Sequence, residues 1–326
     1  MAQPALTKFT RRSLALALQS AEGTPVPPDN GTDGIRLYDG SSGTEFDEFT
    51  ENPDRPHFTG NPFAVTNERA FIQGNFRLYP PETPGDSSDG TPDCHRLLLP
   101  GGMTQVLDDV GGTTRYNPVS SGIALSTAYW WHAGTHLQVV DARHQISSLI
   151  MQIGQRYQGQ VRVQGSYTGM LEENLPSVTL PGTLGPVINS ANSKAAITVL
   201  PGGSPLAVWA KSLSIDFGSD LKTKEYTEYK TNAIDDRLAS WTMRIARTAK
   251  ADFDPWALRS AGTMIQASMR VVGAGDKYSE QGIRGQIRDI TPVDIDGDYG
   301  WELSGPCVAS DAGGDEFWIE FGTETP

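Results

Sequence analysis

The chain has 326 residues and a formal net charge of −13, and it is rich in glycine and proline. No apolar run approaches the ~18 residues that a membrane-spanning helix needs, so we expect a soluble protein that does not associate with membranes. The excess of carboxylates argues against tight binding to nucleic acid, which requires basic side chains that neutralise phosphates. Two cysteines are too few for a disulfide scaffold and favour free thiols.

The first segment with a clear pattern is residues 10–29, TRRSLALALQSAEGTPVPPD. An arginine pair, an apolar run and small residues follow one another as they do in an export signal. The apolar run covers only residues 14–18, whereas a signal needs roughly 7–15 residues. We therefore interpret the segment as an ordered part of the protein that packs against the rest.

Alternation of apolar and polar residues predicts the longer strands. In residues 68–79, one face carries Ala70, Ile72, Phe76 and Leu78. Residues 155–169 alternate more regularly, with an apolar face made of Tyr157, Val161, Val163 and Tyr167. One polar face is typical of an antiparallel sheet that is wet on that side. Residues 127–140, TAYWWHAGTHLQVV, predict a hairpin that turns at residues 133–134.

Two short helices are predicted. In TPDCHRLLLPGG, residues 91–102, Thr91 or Asp93 is expected to cap the helix, and the Pro-Gly pair at residues 100–101 to end it. In DFDPWALRSAG, residues 252–262, Asp254 is expected to cap the helix ahead of a proline at the first helical position.

The order of these elements occurs twice. Residues 35–49 and 211–229 each contain a short strand and an acidic turn, and each is followed by a long strand and a Pro-started helix. In this alignment Arg69 matches Arg237, and Gly102 matches Gly262. We therefore predict a mainly β fold with two tandem β-sandwich or barrel domains, each with one short α-helix. The predicted segments are an N-terminal arm at residues 1–29, a first domain at 30–175, an extended linker at 176–204 and a second domain at 205–326.

Few residues in the sequence suggest a catalytic or metal-binding site. His132 and His136 are four residues apart, but they flank a predicted turn and have no third metal ligand nearby. Cys94 and His95 form a lone pair. DIDGD, residues 294–298, resembles the start of a calcium loop but lacks the glycine and glutamate expected further on, so we interpret it as an acidic turn. Because nucleophile, P-loop and dinucleotide motifs are absent as well, we predict no catalytic residue, metal or cofactor.

Several segments in order resemble the major tail tube proteins of long-tailed bacteriophages. Residues 113–169 are similar to the family's central block, with a YNPVSSG lead, an aromatic hairpin, a DAR turn and a YTG end. Residues 212–227, 252–262 and 278–290 resemble its second-copy opening strand, late helix and closing strand. The opening stretch, with Arg11–Arg12 and then EGT at residues 22–24, is a looser match. The loop at residues 80–93 and the long acidic end are departures from the family.

The resemblance implies tail-tube-type domains that form stacked rings around a channel through which genomic DNA passes into the host. Tubes of this family have six domains per ring, so two copies per chain imply homotrimeric, pseudo-hexameric rings, and one copy would imply hexamers. The implied partners are other copies of the chain and tail proteins such as the tape measure and the tail terminator, with DNA only in transit. The implied location is the virion tail, after assembly in the host cytoplasm.

Two sets of residues are expected to serve this role. The polar face of residues 158–168 is the candidate lumen-facing surface, with acidic stretches at 45–51 and 216–228 adding negative potential that repels DNA. Its members are Gln158, Gln160, Arg162, Gln164, Ser166 and Thr168. The opening stretch is the candidate inter-subunit docking arm, with Arg11, Arg12, Leu14, Leu16 and Glu22.

Two alternatives remain at this point. The first is a carbohydrate- or host-receptor-binding β-sandwich, in which exposed Trp130 and Trp131 would be sugar platforms. We expect core or interface packing instead for these two residues and for Trp241 and Trp256. The second alternative is a hydrolase whose site is assembled from residues distant in sequence.

Overall fold

The computed structural model describes residues 12–50, 63–87, 90–132, 135–172, 178–180, 185–227 and 229–324. These residues form antiparallel β-sheets with two short α-helices, which confirms the predicted mainly β class. Within these ranges no helix is long and apolar enough to span a bilayer.

In the first half of the chain, the described residues form nine strands and one helix. They are β1 (Arg12–Gln19), β2 (Gly34–Ile35), β3 (Tyr38–Thr50), β4 (Phe63–Arg77), α1 (His95–Leu98), β5 (Met103–Asp108), β6 (Thr113–Pro118), β7 (Leu125–His132), β8 (Thr135–Gln152) and β9 (Gln158–Glu172). His132 pairs with Thr135, which confirms the predicted hairpin; its turn at residues 133–134 lies outside the described residues.

The second half contains eleven strands, one α-helix and a single 3-10 turn at Ala274–Asp276. The strands and helix are β10 (Ser193–Val199), β11 (Leu206–Ala207), β12 (Ala210–Asp216), β13 (Ser219–Tyr226), β14 (Tyr229–Arg237), β15 (Ser240–Ala246), α2 (Pro255–Ser260), β16 (Met264–Val272), β17 (Lys277–Gln286), β18 (Asp289–Ile295), β19 (Asp298–Pro306) and β20 (Phe317–Thr323).

Strand β8 is the branch point of the largest sheet. Eight strands form a continuous path in the order β3-β4-β9-β8-β12-β15-β19-β18, and β8 also pairs with β7, which continues to β1 and β2. A second sheet has the order β11-β10-β16-β17-β20-β6-β5, and β13 and β14 form a separate hairpin. One apolar core, with members from both halves, lies between these sheets.

The strand order is the same in the two halves. β3-β4-β9-β8 corresponds to β12-β15-β19-β18, and β2-β1-β7-β8 corresponds to β11-β10-β16-β17, so the single strand β8 is equivalent to β17 and β18 together. Among the described residues, strands β5 and β6 have no counterpart in the second half. The predicted division into two domains stays a prediction, and the repeated strand order is what a tandem arrangement would produce.

Backbone hydrogen bonds align the halves residue by residue. The N–H of Leu78 donates to the carbonyl of Tyr157 at 3.2 Å, and the N–H of Arg247 donates to the carbonyl of Tyr299 at 3.1 Å. Gly102 and Gly262 both follow a short helix with positive φ, as their predicted match requires.

Three details of the predicted repeat are wrong. Since Leu78 aligns with Arg247, Arg69 aligns with Leu238 and not with Arg237. Strand β1 lies inside the predicted arm, and β10 lies inside the predicted linker. Both strands belong to the repeated topology, so the boundaries at residues 30 and 205 were placed too late, because short strands flanked by Pro and Gly resemble loops in sequence.

The two helices differ in how well their caps were predicted. Asp254 caps α2 as expected, because its carboxylate accepts from the backbone N–H groups of Trp256 and Ala257 at 3.2 and 3.1 Å. The predicted cap of α1 is wrong: Cys94 occupies the cap position and makes no side-chain capping bond. The carboxylate of Asp93 is instead engaged by the hydroxyl of Tyr79, which donates to it.

The predicted apolar faces lie in the core. Ala70, Ile72, Phe76 and Leu78 are all buried. Tyr157, Val161 and Val163 are buried too, whereas the side chain of Tyr167 lies outside the described residues; alternation therefore identified which side of β4 and β9 is covered.

Candidate assembly surfaces

The eight-stranded path ends in two open edges. Among the described residues, β3 pairs only with β4, and β18 pairs only with β19. An open edge presents unpaired backbone donors and acceptors that can bind another strand. Pro292 lies in β18, and proline is tolerated in a sheet chiefly on edge strands, where it limits indiscriminate pairing.

A strand pair of the same kind already joins the two halves. Five residue pairs connect β8 to β12, with Ser214 opposite Ile150 at the centre. By the repeat, β18 is the counterpart of this part of β8, and β3 is the counterpart of β12. The pairing of β18 with β19 matches that of β8 with β9, and it places Val293 at the position of Ile150. The pairing of β3 with β4 matches that of β12 with β15, and it places Ser41 at the position of Ser214. The two edges that meet at the β8–β12 junction therefore occur again at the two ends of the eight-stranded path. There, no other strand of the described residues pairs with them.

The hairpin β13–β14 strengthens the internal junction. It packs over the polar face of β8 and β9. Gln164 Nε2 donates to Thr223 Oγ1 at 3.1 Å, and Gln145 Nε2 donates to the carbonyl of Ser219 at 2.6 Å. Arg143 Nε donates to the carbonyl of Asn232, a residue that is itself buried. The second half thus reaches across the first with a polar hairpin.

The outer part of the β3–β4 hairpin occupies the corresponding place in the first half. Within the described residues it is covered by little else, and it exposes three apolar side chains. Phe46, Phe49 and Val65 are 47%, 58% and 46% exposed. Exposed apolar side chains that cluster on one element are typical of an interaction surface. The equivalent hairpin of the second half, β13–β14, packs on the polar face of β8 and β9.

The predicted lumen-facing residues follow β9 but do not share one environment. Gln160 and Thr168 are exposed, and Gln158, Arg162 and Ser166 are partly buried. Gln164 is only 5% exposed, because the β13–β14 hairpin covers it. The expectation that this whole face is wet is therefore wrong at Gln164, where a distant segment buries a polar strand face.

Arginines on this face are paired with carboxylates. Arg162 contacts Glu45 at 2.7 Å and also lies over the ring of Phe71, and Arg244 contacts Glu302 at 2.6 Å. The hydrogen bond from Arg162 holds the pKa of Glu45 below its usual value of 4.5. Amides, hydroxyls and neutralised charges thus dominate this surface, so it offers few free cations to a polyanion.

The predicted docking arm is mostly core. Leu14 and Leu16 are fully buried in β1, which pairs with β7, so they cannot form a surface for another subunit. This part of the prediction is wrong, because alternating Leu and Ala here mark a core strand. Arg12 is exposed and donates to the carbonyl of Gly40, and Glu22 is partly buried in the turn after β1. Arg11 lies outside the described residues.

The other candidate ligands do not converge. His136 is buried and stacks on Trp131 with ring centroids 4.9 Å apart. In the described parts of the chain, no three His, Cys, Asp or Glu side chains are grouped to hold a metal. Cys94 and Cys307 are free, and burial raises the pKa of Cys307 to about 12. Residues 294–298 cover the end of β18, the turn at residues 296–297 and the start of β19, which agrees with the turn interpreted from the sequence.

The tryptophan pair does not suit a sugar platform. Trp130 and Trp131 are 3% and 2% exposed, and Trp241 is equally buried, whereas Trp256, in α2, is 42% exposed. The receptor-binding alternative thus loses the residues on which it was based. Sequence reasoning missed the open edges of β3 and β18, because a strand pattern does not reveal which side of a strand lacks a partner.

Comparison with known proteins does not identify a relative. The chain matches no protein-family model, and no curated protein is significantly similar to it.

Proposed function

We propose that this chain is the structural subunit of a phage tail tube, in which copies join head to tail into rings and the rings stack into a hollow conduit for DNA. The observation that carries this proposal is the β8–β12 junction. It is an association of two equivalent units inside one chain, and the same two edges remain open at β18 and β3. The β8–β12 pair therefore provides a model for the contact between chains, and β18 and β3 provide the edges that would form it.

An interface between two different edges is heterologous. Such contacts close into a ring when the rotation between units divides a full turn, and otherwise extend into a helical filament. With two units per chain, three chains make a ring of six units, and each chain contributes an eight-stranded sheet to the inner wall. Closure also removes the exposed edges, which supports assembly as the role of these strands.

Charge supports the passage of DNA without binding. The chain carries −13 overall, and the arginines 162 and 244 on the polar sheet face are held by carboxylates. Binding to DNA gains affinity when free cations displace condensed counterions, and paired arginines contribute little to that exchange. The resemblance to tail tube proteins adds the tape measure and tail terminator as partners, and the virion tail as location.

A cysteine cross-link tests the interface directly. Ser41→Cys and Val293→Cys are combined in one chain with Cys307→Ser, because cross-strand neighbours have Cβ atoms about 4.5–5.5 Å apart, within reach of a short thiol cross-linker. These positions lie at opposite ends of the eight-stranded path, so a bond between them joins different copies. We expect covalent species that end at three chains on a denaturing gel.

The controls are the two single-cysteine variants, which cannot form a head-to-tail chain of bonds. Covalent species that end at six chains would overturn the trimeric ring but keep the head-to-tail interface. Absence of cross-links in a concentrated sample that forms tubes by electron microscopy would overturn the interface. Absence of both tubes and cross-links would overturn the proposed function.

A further inference from the structure

An aromatic cleft lies beside α2, in the second half of the chain. Its volume is about 390 Å³, within the ~300–1,000 Å³ range of small-molecule sites. Trp256 and Trp301 form two of its walls, with ring centroids 5.3 Å apart and planes at 87°. Trp256 and Tyr299 are 42% and 53% exposed, so the cleft presents aromatic surface to solvent.

Two buried polar atoms of residues that line this cleft find no hydrogen-bond partner among the described residues. They are Nε1 of Trp301, a residue that is only 5% exposed, and Oγ1 of Thr248. Native proteins rarely leave such groups unsatisfied, because a buried donor without an acceptor is destabilising. The Trp301 N–H can only donate, so it needs an acceptor that the described residues do not supply.

The charged side chains around the cleft also favour a ligand that carries acceptors or negative charge. Arg247 lies over the ring of Tyr299 at 5.9 Å, and Lys250 is largely exposed. The one carboxylate in the lining, Asp254, already accepts two backbone N–H groups and lies 3.5 Å from Lys250. The cleft therefore offers donors and positive charge in a protein whose net charge is strongly negative.

The equivalent place in the first half is shaped differently. Tyr79 aligns with Thr248, and its hydroxyl donates to Asp93 beside α1. The cavity that Tyr79 and Asp93 line there is about 20 Å³, and Tyr79 also lines a separate cavity of about 460 Å³. Tyr157, the counterpart of exposed Tyr299, is buried. The exposed aromatic lining is thus specific to the second half, where residue 248 is the smaller threonine.

We infer that this cleft binds an acidic saccharide, with the C–H face of a sugar ring against Trp256 and its carboxylate toward Lys250 and Arg247. The C–H face of a pyranose ring matches exposed aromatic faces, its hydroxyl oxygens are acceptors for the donors of Trp301 and Thr248, and a carboxylate matches the cations. The inference does not depend on the proposed assembly.

The test is calorimetric titration with cellobiouronic acid, a disaccharide with one carboxylate, and with neutral cellobiose. We expect a Kd in roughly the millimolar range for the acid and about tenfold weaker binding of the neutral sugar. Trp256→Ala removes the platform, and Thr248→Tyr introduces the larger side chain that the first half has at Tyr79; both are expected to abolish binding. Lys250→Gln is expected to bring the two sugars to similar affinity.

Trp209→Ala is the matched control, because Trp209 is 85% exposed and lies outside the cleft. It is expected to bind as the unmodified chain does. Three results would overturn the inference: no heat of binding for the acid, equal affinity for both sugars, or binding that survives in Trp256→Ala with unchanged circular dichroism. Binding of a glutamate-rich peptide but of neither sugar would overturn it as well.

Discussion

Ser214 of β12 lies directly opposite Ile150 of β8, so the contact that joins the two halves is an ordinary antiparallel strand pair. A strand pair is readily repeated between molecules, because its hydrogen bonds come from the backbone and need no special side chains. The proposed assembly therefore depends on the edges of β3 and β18, which have no strand partner among the described residues.

The first prediction concerns the exposed β3–β4 hairpin. The double substitution Phe46→Ser and Phe49→Ser is expected to leave folding intact and to raise the concentration needed for assembly at least about tenfold, because both rings would be covered only by a neighbour. Sedimentation velocity across a concentration series measures the shift. Val110→Ser, at a position that is 99% exposed on the β5–β6 turn, is the control and should not alter assembly.

The second prediction concerns β1. Leu16→Ala is expected to lower the free energy of unfolding by about 2–5 kcal/mol, because it leaves a cavity in the core. Val26→Ala, at a partly exposed residue just beyond the strand, should change it by no more than about 0.5 kcal/mol. Urea unfolding followed by tryptophan fluorescence gives both values. Equal, small losses in the two variants would show that β1 is a detachable arm after all.

The third prediction concerns the ion pair between Arg162 and Glu45. Because the pKa of Glu45 is lowered in the folded state, the pair stabilises the protein above the usual value of 4.5, and this contribution disappears as the pH falls through the folded pKa. Both side chains are partly exposed, so solvent screening limits the loss in Arg162→Gln to about 0.5–1 kcal/mol at pH 7. Chemical unfolding at a series of pH values from 7 downward should show a difference that shrinks once the pH falls below 4.5.

The fourth prediction concerns His144, which is fully buried between α1 and β7. Its Nδ1 lies 3.0 Å from the carbonyl of Leu97 and its Nε2 lies 2.8 Å from Ser126 Oγ, so the neutral ring donates to the carbonyl and accepts from the hydroxyl. Burial lowers its pKa to about 4. Since the unfolded chain takes up this proton near pH 6.5 and the folded chain does not, stability should fall between pH 6.5 and about 4.

The measurement is the pH dependence of unfolding in the unmodified chain and in His144→Gln. One pKa unit corresponds to about 1.4 kcal/mol, so the unmodified chain should lose up to about 3 kcal/mol more than the variant over this range. His95, whose pKa burial also lowers to about 4, contributes to both proteins and cancels in the difference. Parallel pH profiles would contradict a buried neutral His144.

Local patterns in the sequence predicted local structure well. Alternation located the buried faces around Ile72 and Val163, and the Asp-Pro pair located the start of α2, because each signal depends on neighbours along the chain. The cap of α1 was mispredicted because Asp93 is used by Tyr79, a residue that the intervening loop brings close.

The assembly surfaces needed three-dimensional information. Gln164 looks solvent-facing in sequence, yet the hairpin that covers it comes from about sixty residues later and meets it with a polar residue, Thr223. Polar contacts between distant segments leave no apolar signal in either segment. The open edge of β18 is invisible for a related reason, since pairing depends on which strands the topology brings together.

The β5–β6 insertion is present in the first half only, and the aromatic cleft in the second half only. In the proposed ring of three chains, each of these two features would occur three times, once in every second unit. A ring of six single-copy subunits would carry every feature six times. Fusing two copies into one polypeptide thus frees alternate positions to specialise, which identical single-copy subunits cannot do.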